Sequence, residues 1–165
     1  MNELIERLES IFQSGNRIAF LGVGSPLRGD DAVGLMIVNE LMQKLKTRPQ
    51  IEVRFYLGES APENFTGEIR EFAPTQVIIV DAAELGLAPG TFSLIEREAI
   101  GGISFSTHVL PLKIIADYLV TTTNCEVLLI GIQPQELEFA MPISSKVTEA
   151  AHGFIAELLS KLNPV

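Results

Sequence analysis

The chain has 165 residues, enough for one domain with a full hydrophobic core and too few for two domains of ordinary size. Its 12 basic and 21 acidic residues give a net charge of −9, and no cluster of Lys or Arg could neutralise successive phosphates, which argues against nucleic acid as a partner. A hydrophobic content of 47% predicts a well-packed globule, and the single cysteine excludes an intrachain disulfide and a thiolate metal cluster.

Hydrophobic periodicity predicts an alternation of helices and strands. Segments with apolar residues at helical spacing are predicted helices, and short apolar segments rich in β-branched or aromatic residues are predicted strands. In chain order, the predicted elements are a helix over 2–13, a strand over 17–23, a helix over 32–46, a strand over 51–56, a helix over 62–71, strands over 76–81 and, more weakly, 91–95, a helix over 109–122, a strand over 126–132 and a helix over 144–162. Loops are expected at 86–90 and 101–107, and the second of these is expected to be flexible.

This order predicts an α/β fold. Strands that are apolar on both faces and alternate with helices are typical of a largely parallel sheet with helices on each side. We expect a single domain over residues 1–165, in which residues 1–16 form a helical extension ahead of the fold proper. The N-terminus lacks the pattern of a signal peptide, and no apolar run approaches the roughly 20 residues that span a bilayer, so a soluble cytoplasmic protein without membrane insertion is expected.

The most informative segment runs from Ile18 to Gly34, where an apolar strand breaks into a glycine-rich turn that leads into a helix. The spacing between Gly24 and Gly29 matches a phosphate-binding loop. However, Asp30-Asp31 occupies the positions where such a loop carries Lys and Ser or Thr. Two acids repel phosphate and attract a metal cation.

Three residues with side chains suited to metal binding are expected at one edge of the predicted sheet. In an open α/β sheet, ligands bind beyond the carboxyl ends of the strands. Asp31 follows the first predicted strand, Asp81 ends the apolar run 77–80, and His108 comes just before a predicted helix. Two carboxylates and one imidazole leave a coordination position open for an exogenous group, and nickel, zinc, manganese and iron all accept such ligands. The sequence therefore predicts a metal site formed by Asp31, Asp81 and His108.

Each of these residues also has a purely structural interpretation. An Asp at a helix start commonly caps the helix; Asp30 suits that role, which leaves Asp31 for chemistry. Asp81 could anchor a neighbouring loop by hydrogen bonds, and His108 could be a buried or capping histidine. Arg28 could contact a carboxylate of the substrate or pair with Asp30.

The chain resembles the hydrogenase maturation endopeptidases, which trim the C-terminus of the nickel-iron hydrogenase large subunit after nickel insertion. The resemblance covers residues 18–139, most of the chain, and is closest to the branch that serves formate-hydrogenlyase-type hydrogenases. The matching motifs are Gly22-Val-Gly24 with Gly29-Asp-Asp31 and Gly34, Ser60-Ala-Pro-Glu-Asn64, residues 69–82 and 86–90, Ser106-Thr-His-Val-Leu-Pro-Leu112 and Gly131-Ile-Gln-Pro134.

The resemblance implies a three-layer αβα fold with a mostly parallel, twisted five-stranded sheet. It also implies that Asp31, Asp81 and His108 contact nickel that the large-subunit precursor supplies, and that the precursor is cut after a His or Arg near its terminal cysteine motif. No organic cofactor is expected. Because no Ser-His-Asp or Cys-His arrangement is evident, water is the expected nucleophile. Residues 57–60, Leu-Gly-Glu-Ser, depart from the family's usual Asp-Gly-x-Thr segment, so the identity of the cognate hydrogenase is left open.

Two other functions are weighed against this one. A non-catalytic metal-sensing chaperone would bind the same maturation intermediate without cutting it. A nucleotide-binding protein is the weaker alternative, because the dinucleotide fingerprint requires a glycine where Leu27 stands and the acid pair opposes phosphate.

Overall fold

The computed structural model describes residues 1–13, 17–46, 49–102, 104–105 and 111–163, and the side chains of residues 101–105 are not described. Its helices are α1 (Asn2–Gln13), α2 (Val33–Lys44), α3 (Thr66–Phe72), α4 (Leu112–Thr123) and α5 (Ser145–Leu162). Its strands are β1 (Arg17–Val23), β2 (Glu52–Glu59), β3 (Gln76–Glu84), β4 (Phe92–Glu96), β5 (Ser104–Phe105) and β6 (Glu126–Ile132). Short 3₁₀ helices lie at Gly29–Ala32, Pro62–Phe65 and Arg97–Gly102. Within the described residues, no helix is long and apolar enough to cross a bilayer.

Five strands form one sheet in the order β2-β1-β3-β6-β4. The pairs β1–β2, β1–β3 and β3–β6 are parallel, whereas β4 runs antiparallel to β6. The direction of β4 follows from its connection, because residues 85–91 are too few for the crossover that a parallel strand requires. The mostly parallel five-stranded sheet predicted from the sequence is confirmed.

Helices cover both faces of the sheet. Successive strand residues point to opposite faces, so Phe20 and Ile78 join the core cluster beneath α1, α2 and α5, whereas Leu21 and Ile79 join the cluster beneath α3 and α4. The three-layer arrangement is therefore confirmed. Helix α1, expected ahead of the fold proper, packs against α5 and buries Leu8 in the same core.

The segment predicted as a flexible loop over 101–107 is partly ordered by backbone pairing. Residues 97–102 form a 3₁₀ helix, and β5 pairs antiparallel with Ala83 and Glu84 at the end of β3. These two residues lie beyond the part of β3 that β1 and β6 pair, so β5 supplies partners for their backbone groups. The loop prediction is wrong for residues 101–102 and 104–105, and residues 103 and 106–107 lie outside the described part of the chain.

Candidate active site

The glycine-rich loop after β1 is folded tightly onto the 3₁₀ helix that carries the two acids. Gly24 has a φ of 126°, and a Cβ there would overlap the carbonyl oxygen of Asp31, so only glycine fits. The backbone N–H of Ser25 donates to Asp31 Oδ2 at 2.7 Å. This contact fixes the orientation of a carboxylate that is fully buried.

A second glycine brings the acid-bearing turn against the ends of two strands. A Cβ at Gly34 would overlap the carbonyl oxygen of Val80 in β3 and lie 2.6 Å from that of Val23 in β1. The start of α2 thus fits between the carboxyl ends of β1 and β3, next to Asp81. The fold brings the segments that carry Asp31 and Asp81 together at one edge of the sheet, and both side chains are fully buried.

Asp81 lies inside a strand rather than at its end. The sequence predicts that the strand ends at this residue, but β3 continues to Glu84, and Asp81 aligns with Gly131 of the neighbouring β6. Its side chain is therefore carried by a strand that stays paired with β6 at the residues immediately before and after this position.

His108, the third predicted ligand, lies in residues 106–110, outside the described part of the chain. Among the described residues, which do not include His108, no three His, Cys, Asp or Glu side chains are placed together to hold a metal ion. The predicted set of three ligands stays a prediction, with two of its members at the same edge of the sheet.

Asp30 has a different role from the one predicted. It is not the N-cap of α2: Ala32 holds that position, and no side chain there caps the helix. The buried Asp30 carboxylate instead accepts hydrogen bonds from Gln135 N (2.7 Å), Glu136 N (2.9 Å), Ser144 N (2.6 Å) and Ser144 Oγ (3.0 Å). The capping prediction is wrong because a 3₁₀ helix precedes α2 and a distant loop supplies the donors.

Arg28 strengthens the same junction. Its Nε donates to the carbonyl oxygen of Leu137 at 3.3 Å, and the described side chains show no ion pair between Arg28 and Asp30. Backbone bonds from Ala140 N to Leu27 O (2.8 Å) and from Gly29 N to Met141 O (3.0 Å) complete the junction. The glycine-rich loop is thus fastened to the loop that follows β6.

Gln133 fixes a third loop at this edge. Its buried amide oxygen accepts from Leu85 N (2.7 Å) and Leu87 N (3.3 Å), and its amide nitrogen donates to Glu84 Oε2 (3.1 Å). The sequence marks Gln133 as an unusual polar residue after a buried strand, although its positioning role becomes visible only in the fold.

The only cysteine is remote from this edge. Cys125 is buried just before the amino end of β6, at the opposite side of the sheet, and burial raises the pKa of its thiol. A thiolate nucleophile is therefore not available at the candidate site. The candidate reactive groups at this edge are therefore the carboxylates of Asp31 and Asp81, and carboxylates suit cation binding and the activation of water.

Comparisons with known proteins point in one direction. A family model described as HycI, hydrogenase maturation protease, matches residues 35–161. The chain is 35% identical over 131 residues to the hydrogenase 3 maturation protease of Escherichia coli K12, and the aligned region covers 79% of this chain and 81% of that protein.

Solved structures show the same fold. The crystal structure of the [NiFe] hydrogenase maturation protease HycI from Thermococcus kodakarensis superposes with a TM-score of 0.81 at 33% identity, covering 96% of this chain and 99% of that one. The hydrogenase maturating endopeptidase HybD from E. coli gives a TM-score of 0.71 at 27% identity, covering 88% and 91% of the two chains.

Proposed function

Since this chain belongs to the hydrogenase maturation protease family, we propose that it is the endopeptidase that removes the C-terminal extension of a nickel-iron hydrogenase large-subunit precursor once that precursor carries nickel. The observation that carries the proposal is that the fold brings together the segments of two fully buried carboxylates, Asp31 and Asp81, at one edge of the sheet. Ligand sites of open α/β sheets lie at this edge.

In this proposal Asp31, Asp81 and His108 bind the precursor's nickel, which belongs to the substrate. Two carboxylates and an imidazole suit a borderline divalent cation, and buried carboxylates in proteins are commonly paired or bound to metal. Such a cation can polarise a carbonyl group and neutralise developing negative charge. The Ser25 N–H holds the Asp31 carboxylate in place, so little reorganisation is required when the substrate arrives.

Hydrolysis then uses water as the nucleophile. We expect a carboxylate that is not engaged by the metal to accept the proton of this water. Hydrogen bonds to Asp30 and Gln133 fix the loops at this edge of the sheet, so the surface that contacts the substrate keeps its geometry.

The surface around the site is suited to a polypeptide. Leu27 is 58% exposed and Phe139 is 72% exposed, and they lie on the two loops that the Leu27–Ala140 hydrogen bond joins beside Asp31. Apolar side chains exposed together often mark protein-binding surfaces. A precursor protein can bury them on docking.

The experiment is a cleavage assay with purified large-subunit precursor, followed by intact mass. The wild-type chain is expected to remove the extension, and Asp31→Asn to cleave at least about 100-fold more slowly, because a ligand is lost. Asp117→Asn, which removes a partly exposed carboxylate from α4, is the matched control and keeps full activity. Stable binding of the precursor by the wild-type chain without cleavage would contradict the proposal and favour the metal-sensing chaperone.

A further inference from the structure

Exposed apolar side chains lie together on the two loops that follow β1 and β6. Phe139 and Leu27 are the two most exposed large apolar side chains among the described residues, and Met141 is also exposed. Backbone bonds from Ala140 N to Leu27 O (2.8 Å) and from Gly29 N to Met141 O (3.0 Å) hold the two loops side by side. Leu27, Phe139 and Met141 are termed the apolar patch below. Burial of this patch in a complex would remove apolar surface from water, which favours binding.

The backbone that carries the patch is fixed in an unfavourable conformation. Ala140 has a φ of 63°, and Glu59 has a φ of 49°, a left-handed region that residues with a side chain rarely adopt. The other two described residues of this kind, Ala73 and Asn124, end helices, where this conformation is common. Ala140 and Glu59 instead lie on loops that bond to the glycine-rich loop. Strained residues of this type occur at binding sites, and a fixed backbone loses little entropy when a ligand binds.

Acidic side chains without a cationic partner surround the patch. Glu138 and Glu59 are exposed, Glu136 is half-buried, and none of the three forms an ion pair with another described residue. Arg28 is the one basic residue in the segments 24–30 and 134–144, and its Nε donates to the carbonyl oxygen of Leu137. The local potential is therefore negative, and it favours a partner with basic side chains.

We propose that the apolar patch binds a segment of the substrate polypeptide in which large apolar side chains stand next to lysine or arginine. The apolar side chains of that segment pack on Phe139 and Leu27, and its basic side chains face Glu138 and Glu59. A second copy of this chain or an anionic membrane fits less well, because the chain carries a net charge of −9 and either would bring like charges together.

The position of the patch connects it to the candidate active site. Leu27 belongs to the same glycine-rich loop as Ser25, whose N–H donates to Asp31 Oδ2. The loop of Phe139 bonds to the turn that carries the acids, through Asp30 N and Glu136 O at 2.8 Å. A polypeptide bound to the patch therefore lies beside the segment that holds Asp31.

The binding test uses the ¹⁵N-labelled full-length protein and three blocked hexapeptides, so it does not depend on proteolysis. The basic peptide Gly-Lys-Leu-Phe-Lys-Gly is expected to shift the amide signals of Leu27, Ala140 and Met141. The peptide with Glu in place of both Lys, and the peptide with Ser in place of Leu and Phe, are each expected to bind about tenfold more weakly. Equal binding of the three peptides, or no shifts at these residues, would overturn the proposal.

Two pairs of variants locate the effect. Phe139→Ser is expected to weaken binding of the basic peptide about tenfold, whereas Met42→Ser, which changes an exposed apolar residue near the far end of α2, leaves it unchanged. Glu138→Gln is expected to weaken the same peptide about threefold at low salt, and Glu149→Gln, exposed on α5, has no effect. Wild-type affinity in Phe139→Ser would refute the patch, and wild-type affinity in Glu138→Gln would refute the role of charge.

The variants are expected to fold normally, because Phe139 is largely exposed and its side chain is outside the core. A thermal melt of Phe139→Ser checks this expectation. If the variant fails to fold, the comparison of the three peptides on the wild-type protein still decides the question.

This inference rests on the proposed function for the identity of the polypeptide, whereas the peptide experiment does not. In the precursor cleavage assay, Phe139→Ser is expected to raise KM about tenfold with little change in kcat, the pattern of a lost binding contact. Binding of the basic peptide at the patch together with an uncleaved precursor would refute the proposed function alone. Cleavage by Phe139→Ser with the wild-type KM would refute this inference alone.

Discussion

The adjacent acids Asp30 and Asp31 are expected to respond very differently to the same substitution. Asp30 accepts four hydrogen bonds, from Gln135 N, Glu136 N, Ser144 N and Ser144 Oγ, and is fully buried. Asparagine keeps one oxygen and replaces the other with an NH₂ group. Whichever way this amide turns, at least one buried N–H then faces another donor.

The magnitude follows from these contacts. One unsatisfied buried N–H costs about 1–3 kcal/mol, and loss of charge in the remaining bonds adds roughly 1 kcal/mol. We therefore expect Asp30→Asn to lower the free energy of unfolding by about 2–4 kcal/mol. In a domain of this size each kcal/mol lowers Tm by about 2–4 °C, so the expected decrease in Tm is about 4–16 °C.

Asp31→Asn is the matched comparison. Asp31 Oδ2 accepts from Ser25 N, and the amide oxygen of asparagine can keep that bond, so Asp31→Asn is expected to lower the free energy of unfolding less than Asp30→Asn does. Urea unfolding of both variants, followed by circular dichroism, measures the difference. This division of roles would be refuted if the stability of Asp30→Asn were within about 0.5 kcal/mol of the wild type. It would also be refuted if Asp31→Asn were destabilised as much as Asp30→Asn.

Four further outcomes test the fold. Gly34→Ala is expected to lower the free energy of unfolding by about 1–3 kcal/mol, seen as a lower urea midpoint, because the new Cβ would overlap a β3 carbonyl oxygen. An unchanged midpoint would contradict that close approach. Ala73→Gly is expected to raise stability by up to about 1 kcal/mol, since Ala73 ends α3 with a φ of 49°, and a loss of stability would count against the left-handed cap. Cys125 is expected to react with a thiol reagent at pH 8 only after unfolding, because burial removes access and raises its pKa, and fast labelling of the folded protein would disprove this. The pKa of Glu40 is lowered chiefly by its hydrogen bond from Lys44, so the stability that Glu40 contributes is present above its ordinary pKa of 4.5 and is lost as the pH falls through the lower pKa of the folded state. Glu40→Gln is therefore expected to be less stable than the wild type at pH 7 and equally stable in strong acid. A stability difference that does not change with pH would be inconsistent with this linkage.

The strands and the glycine-rich loop were accessible to sequence reasoning because their signals are local. Buried strands are continuous apolar runs, and an apolar run that breaks into glycines and acids indicates the edge of a sheet. Gly24 and Gly34 are required by contacts within this same strand–loop–helix unit and its neighbouring strand. Local patterns of this kind predicted that the segments carrying Asp31 and Asp81 would lie at the same edge of the sheet.

The role of Asp30 could not be predicted, because its partners lie more than 100 residues away in the chain. Helix capping is the local explanation for an acid at a helix start, and nothing within the segment argues against it. Only the packing of residues 135–144 against the glycine-rich loop shows that this carboxylate joins two loops.

The pairing of β5 was hidden for a similar reason. Residues 101–107 are rich in Gly, Ser and Thr, a composition typical of loops. Their pairing depends on β3 continuing past Asp81 to Glu84, and an apolar run that ends at an acid gives no sign of this extension.

The most direct test of the proposed function is cleavage of purified large-subunit precursor with and without its nickel, measured by intact mass. We expect the wild-type chain to remove the C-terminal extension only from the nickel-loaded precursor, and Asp31→Asn to leave it in place. Equal cleavage of the two precursor forms would contradict recognition through nickel. Retention of the extension on a nickel-loaded precursor that the chain binds would contradict the assignment as its processing endopeptidase.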